Sequence, residues 1–270
     1  MGSQQSIPPD VYDREYFLSE ICEGFEEALE GEVSFNKAKQ VRILNPQPGM
    51  KILDAGCGRG ETALALAKAG ATVSGLDYAN SAVELTREAL TDYPESDVRQ
   101  GSVTDLPWPD NTFDRIQFSD VIEHLDPPQT VPALREFLRV LKPGGFALVH
   151  TAPNLLFMKF GWPAARPFVR FAGHPDIADK VNEWFKIAEQ YHVNEQSMFT
   201  LRRNMRDAGF PDPHVWIDPD TLRGGQFHLL SGFDGPIVAA AKRIAALRPV
   251  RLFMGNDVLA VGVKPESPVR

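Results

Sequence analysis

Leu53-Asp54-Ala55-Gly56-Cys57-Gly58-Arg59-Gly60-Glu61-Thr62 is the stretch on which the fold turns. Residues 51–55 read as a short strand leading into the turn, and residues 62–69 leaving it run in alanine and leucine until Gly70 stops them, which predicts a helix. A strand that enters a glycine-rich turn and leaves as a helix brings backbone N–H groups and a positive helix terminus against a ligand, with no Cβ atoms in the way. The spacing G-x-G-x-G differs from the G-x-G-x-x-G that cradles a pyrophosphate, so a nucleoside is expected here rather than a dinucleotide.

Outward from that turn, strands are predicted at 72–76, 98–100, 115–119, 146–151, 214–217 and 258–263, with helices at 81–90, 131–141 and 198–208. Alternation of this kind implies right-handed βαβ units and an α/β, doubly wound, seven-stranded Rossmann-like sheet. Residues 1–48 read as an N-terminal helical cap, with Tyr16, Phe17, Ile21, Phe25 and Leu29 in helical spacing. Residues 49–270 read as the ligand-binding domain, carrying two insertions. The first, 153–196, holds Phe157, Trp162, Trp184 and Phe185 among others and is too apolar for a linker, so it reads as a packed lid. The second, 224–256, contains an amphipathic helical pattern at 237–247 beside Lys242, Arg243, Arg248 and Arg251. Its first reading is a lid or homodimer helix, its second a surface for anionic lipid.

Two carboxylates flank the turn. Asp77, in Gly75-Leu76-Asp77-Tyr78, sits where a strand-end acid accepts hydrogen bonds from ribose hydroxyls. Asp54 would repel a phosphate but suits a ligand with a cationic amino-acid end.

With these motifs in place, residues 50 to 154 resemble the class I S-adenosylmethionine (SAM)-dependent methyltransferases. The resemblance covers the glycine loop, Asp77, the run Gly101-Ser102-Val103-Thr104-Asp105-Leu106-Pro107, the segment from Phe113 to Leu125, and Leu141-Lys142-Pro143-Gly144-Gly145. It implies SAM as cofactor, held by Asp54, Gly56, Cys57, Gly58, Asp77, Tyr78, Ser102, Val103 and Ser119, with Tyr16 closing over the methionine end. Ser102 stands where the family usually has Asp, which weakens the adenine contact expected there.

Methyl transfer from a sulfonium needs alignment and exclusion of water above all, and a general base when the acceptor is a hydroxyl. Among His124, His150, His174 and His192, the catalytic candidates are His192, at the end of the lid, and His124, just past the fourth strand. Asp120, Glu123 and His124 are similar to the metal-binding acid-x-x-Glu-His run of ubiquinone-biosynthesis O-methyltransferases and small-RNA 2′-O-methyltransferases. The first position here is Asp and the dense histidine cluster is lacking, so no metal ligand is assigned.

The chain has 270 residues, with 28 Lys+Arg against 36 Asp+Glu and a net charge of −8, which disfavours nucleic acid as partner. Its 2 cysteines suit a reducing compartment, so a cytoplasmic location is expected. The most apolar stretch, 146–160, is interrupted by His150, Pro153, Asn154 and Lys159, so no transmembrane segment is expected. The expected activity is O-methylation of a small or medium organic metabolite. Alternatives are a C- or N-methyltransferase of a natural product, or a non-catalytic SAM-binding partner protein.

Overall fold

The computed structural model describes residues 7–19, 22–171, 173–218, 243–245 and 247–266. Ahead of the sheet come α1 (Arg14–Phe17), α2 (Phe25–Leu29) and α3 (Phe35–Leu44). The helical spacing from Tyr16 to Leu29 is not one helix: Gly24 adopts the left-handed conformation (φ 77°) and restarts the chain as α2, and Ile21 lies outside the described residues. Ser34 caps α3 by accepting a hydrogen bond from the Lys37 amide.

Then follow β1 (Lys51–Ala55), α4 (Glu61–Lys68), β2 (Thr72–Asp77), α5 (Asn80–Ala89), β3 (Asp97–Gln100), β4 (Phe113–Ser119), α6 (Pro127–Val140) and β5 (Leu141–Thr151). Residues 153–196, expected as a lid, carry α7 (Trp162–Phe171) and α8 (Pro175–Tyr191), and α9 (Met198–Ala208), β6 (His214–Ile217), α10 (Arg251–Met254) and β7 (Val258–Val263) complete the described series. The predicted amphipathic helix at 237–247 falls largely outside the described residues. Lys142-Pro143-Gly144-Gly145, expected only to end a helix, lies within β5: Leu141 pairs with Phe113, and the Gly144 amide donates to the Lys264 carbonyl.

The strand order is β3-β2-β1-β4-β5-β7-β6, parallel except that β7 runs antiparallel to both neighbours. Successive residues of a strand point to opposite faces, and both faces are covered by helices. Accordingly Leu53, Ile116 and Ala147 enter one apolar cluster, with Phe137 and Leu201, while Ile52, Leu148 and Leu259 enter the other, with Leu66 and Val83. The order reverses between β1 and β4, so a crevice opens beyond their C-terminal ends. None of the described helices is long and apolar enough to cross a membrane.

Candidate active site

The turn after β1 is built by backbone geometry that side chains oppose. Gly56, Gly58 and Gly60 have φ of 80°, 52° and 82°, a region that costs other residues energy. The Gly56 and Cys57 amides donate to the Leu76 carbonyl (2.7 and 3.1 Å), which fastens the turn to the end of β2. There Asp77 accepts from the amides of Gly58 (3.1 Å) and Ala79 (3.0 Å), one on each carboxylate oxygen. Burial pushes its pKa up to about 6 against those two hydrogen bonds.

Asp54 is buried, and one of its oxygens has no hydrogen-bond partner among the described residues. Burial, then the charge of Glu61, raises its pKa to about 8. Cations stand close by: Glu61 is bridged by Lys37 (2.5 Å) and Arg59 (2.7 Å), and burial of its carboxylate is overcome by them, leaving the pKa at about 2. Arg59 also donates to the carbonyls of Phe17 (3.0 Å) and Glu23 (2.6 Å), tying the N-terminal segment down on the glycine turn.

The crevice holds a cavity of about 440 Å³. All the expected cofactor residues line it: Asp54, Gly56, Cys57, Gly58, Asp77, Tyr78, Ser102, Val103, Ser119 and Tyr16. So do His124 and His192, whereas His174 precedes α8 and does not line it. The Ser102 hydroxyl is engaged by the amide of Thr104 (3.2 Å) and by its hydroxyl (2.8 Å), so it is not a free substitute for an acid. Tyr12, Tyr16 and Tyr191 form a wall of rings, with Tyr12 and Tyr16 edge to face at 4.9 Å.

Beyond β4 the titratable groups divide sharply. His150 lies between two carboxylates, Asp120 (2.9 Å) and Asp257 (3.0 Å), which outweigh its burial and keep it protonated; it is a fixed cation and not a base. Asp120, at φ 56°, also accepts from the Ser119 hydroxyl. His124 and His192 are the opposite case: burial lowers them to about 4 and about 3, so both rings are neutral at neutral pH. His124 Nδ1 lies 2.9 Å from both the Tyr191 carbonyl, which can only accept, and the Tyr12 hydroxyl, which can donate or accept; with the proton on Nδ1 the carbonyl is satisfied and Nε2 keeps its lone pair. Buried Glu123 is raised to about 8 by its burial and by Asp120, and it accepts from the Thr151 hydroxyl (2.8 Å).

The stretch that follows α8 is pinned here by backbone. Val193 and Asn194 donate to the Glu123 carbonyl (2.9 and 3.0 Å), which sets the adjoining His192 beside His124. Ligand atoms of Glu123, His124 and His192 all fall within 4.8 Å of one another, a donor set of two imidazoles and a carboxylate that could hold a divalent ion.

Residues 53–149 match the family model described as "Methyltransferase domain". An uncharacterized methyltransferase of Synechocystis sp. is 38% identical over 166 residues, covering 60% of this chain and 72% of that one. The chain belongs to the class I SAM-dependent methyltransferases. The methyltransferase is also 32% identical over 190 residues to a demethylmenaquinone methyltransferase of Staphylococcus aureus, covering 66% of this chain and 75% of the relative. Its fold is similar to that of geranyl diphosphate C-methyltransferase from Streptomyces coelicolor, with a TM-score of 0.56, 17% identity and 94% and 88% of the two chains covered.

SAM is the cofactor of this methyltransferase. The residues present fit it: the unpartnered Asp54 oxygen can meet an ammonium group, and Asp77 keeps lone pairs free for two ribose hydroxyls after accepting its two amides. Sequence reasoning missed Lys37, Arg59, Glu61 and Glu23. Arg59 and Glu61 in the glycine-rich stretch were a visible signal, but the groups they bind besides each other, the carbonyls of Phe17 and Glu23 and the ammonium of Lys37, meet them only in the folded chain.

Proposed function

We propose that this methyltransferase acts on a hydroxyl oxygen of a small or medium-sized organic acceptor, with Asp54, Asp77 and the glycine turn holding the cofactor and His192 and His124 serving the acceptor. The bound cofactor supplies an electrophilic methyl group. Asp54 meets the ammonium end, whose charge would bring its raised pKa back down and hold it as a carboxylate, Asp77 fixes the ribose, and Tyr16 with its neighbouring rings excludes water from the crevice. Trp184, Tyr191 and Tyr12 give the acceptor flat apolar walls.

The observation that carries the reading is the neutral imidazole pair facing the cavity. A ring of such low pKa is a weak base, but the hydroxyl proton becomes strongly acidic as the O–CH₃ bond forms, so a weak base in place suffices late in the transfer. The proton moves to His192, or to Nε2 of His124, and the nearby Asp120 carboxylate favours the resulting imidazolium.

A second reading, methylation at a ring carbon of a quinol-type acceptor, draws on the name of the Staphylococcus aureus relative. The same base would remove a ring hydroxyl proton and raise the electron density of the carbon beside it. An assay of the full chain with SAM and a panel of phenols, catechols and quinols, read as S-adenosylhomocysteine formed and as the position of the new methyl group, separates the two. An O-methyl product supports the first reading and a C-methyl product the second. Turnover that survives EDTA supports a metal-free base; loss with EDTA and return with Mg²⁺ would give Glu123, His124 and His192 to an ion instead.

A further inference from the structure

The lid has an outer side that nothing in the cavity uses. The inner face of α7 is buried: Trp162, Ala165 and Val169 pack with Phe157, Val181 and Phe185, and Trp162 Nε1 donates to Asn182 of α8 (2.9 Å). Its outer face carries Phe168 and Phe171, three residues apart and therefore adjacent, which are 75% and 93% exposed. Lone exposed apolar residues are ordinary, but two phenylalanines this bare on one helix face are not.

Charge singles out the same region. In a chain of net charge −8, residues 153–174 contain no acid and the three bases Lys159, Arg166 and Arg170, all exposed. Residues 235–256 likewise contain no acid, and their bases include Arg243, Arg248 and Arg251, with exposed Ile244 and Leu247 between. The two segments adjoin: Phe160 and Phe253 meet edge to face at 6.2 Å, and the Phe253 carbonyl lies so close to Gly161 that a Cβ there would approach it to 1.8 Å. The acids nearest α7 in sequence are the exposed Asp176, Asp179 and Glu183 of α8, of which Asp179 pairs with Arg170 (3.1 Å) and offsets that one base, leaving Lys159 and Arg166 as the charges the segment presents.

We propose that this outer face of the lid docks on an anionic phospholipid bilayer. Aromatic side chains enter the interfacial layer while arginines and Lys159 meet lipid phosphates, the combination that holds a peripheral protein on a membrane. The inner side of the lid is then the cavity wall, since Trp184, Ala188 and Tyr191 of α8 line the cavity. Docking sets the crevice beside the bilayer, and the acceptors it favours are amphiphiles that partition there.

The test is flotation of the full chain with vesicles of phosphatidylcholine alone or with one-quarter phosphatidylglycerol, with no acceptor present, so that it is independent of the reaction proposed above. Binding to the anionic vesicles, weakened by raised salt, is expected. Phe168→Ser/Phe171→Ser should lower the partition coefficient at least tenfold, and Arg166→Glu about fivefold or more, the factor set by one basic contact with an anionic surface. Affinity for S-adenosylhomocysteine should stay unchanged in both variants, which shows that they fold. Equal partition of wild type and folded variants, or no preference for anionic vesicles, would overturn the proposal. So would a dimer of the wild type that the two serines dissociate, because the face would then belong to a second copy of the chain.

Discussion

The imidazole rings of His124 and His192 meet edge to face with centroids 4.7 Å apart, although 67 residues separate His192 from the strand-end loop that holds His124. Burial lowers both rings, and the charge of His124 further discourages protonation of His192, so the pair stays neutral together.

From this follows a pH profile. At saturating cofactor, kcat should be flat through the weakly acidic range and fall only as pH drops through about 4, where His124 takes up its proton, well below the ordinary histidine range, whereas cofactor affinity should already weaken as Asp77 is protonated near pH 6. His192→Asn should lower kcat about 100-fold or more, the usual worth of a positioned base, while leaving S-adenosylhomocysteine affinity as it is. Steady-state kinetics across pH checks both, and an unchanged kcat would remove His192 from the mechanism.

Asp77 joins two functions, since the oxygens that suit a ribose also hold the amides of Gly58 and Ala79. Asp77→Asn loses the charge and one acceptor, so cofactor binding should weaken by about 1 to 3 kcal/mol. Calorimetry with S-adenosylhomocysteine measures it; an affinity equal to wild type would place the ribose elsewhere.

Gly56 lies under Val121, and a Cβ there would stand 2.2 Å from Val121 Cγ2. Gly56→Ala therefore meets both a clash and a left-handed backbone, and unfolding in urea should show a loss of about 2 to 5 kcal/mol. Adding Val121→Ala should recover the part due to the clash and not the part due to φ, which distinguishes the two causes.

The sheet and the turn after β1 were legible because both depend on local pattern. Short apolar runs at 51–55 and 72–76 and the glycines at 56, 58 and 60 define strands and a turn over a few residues, and Asp54 and Asp77 both line the cavity beside that turn. The N-terminal segment was less legible: apolar spacing from Tyr16 to Leu29 promised a longer helix, whereas α1 ends at Phe17 and α2 begins only after the left-handed Gly24.

His150 shows the limit from the other side. In sequence it stands among four possible bases, and nothing local distinguishes it; the carboxylates that fix its charge come from Asp120, 30 residues before it, and from Asp257, 107 residues after it.

What the chain of letters determined is the α/β sheet, the glycine turn after β1 and the methyltransferase family, because apolar strand runs, glycine conformation and strand-end acids act over a few neighbouring residues. What only the tertiary structure decided is which histidines are neutral, which is a cation, and which pair faces the cavity. Protonation depends on burial and on charges a few ångströms away in space, and those neighbours are brought together from distant parts of the chain by packing, as the hydrogen bonds from Val193 and Asn194 to Glu123 bring His192 to His124.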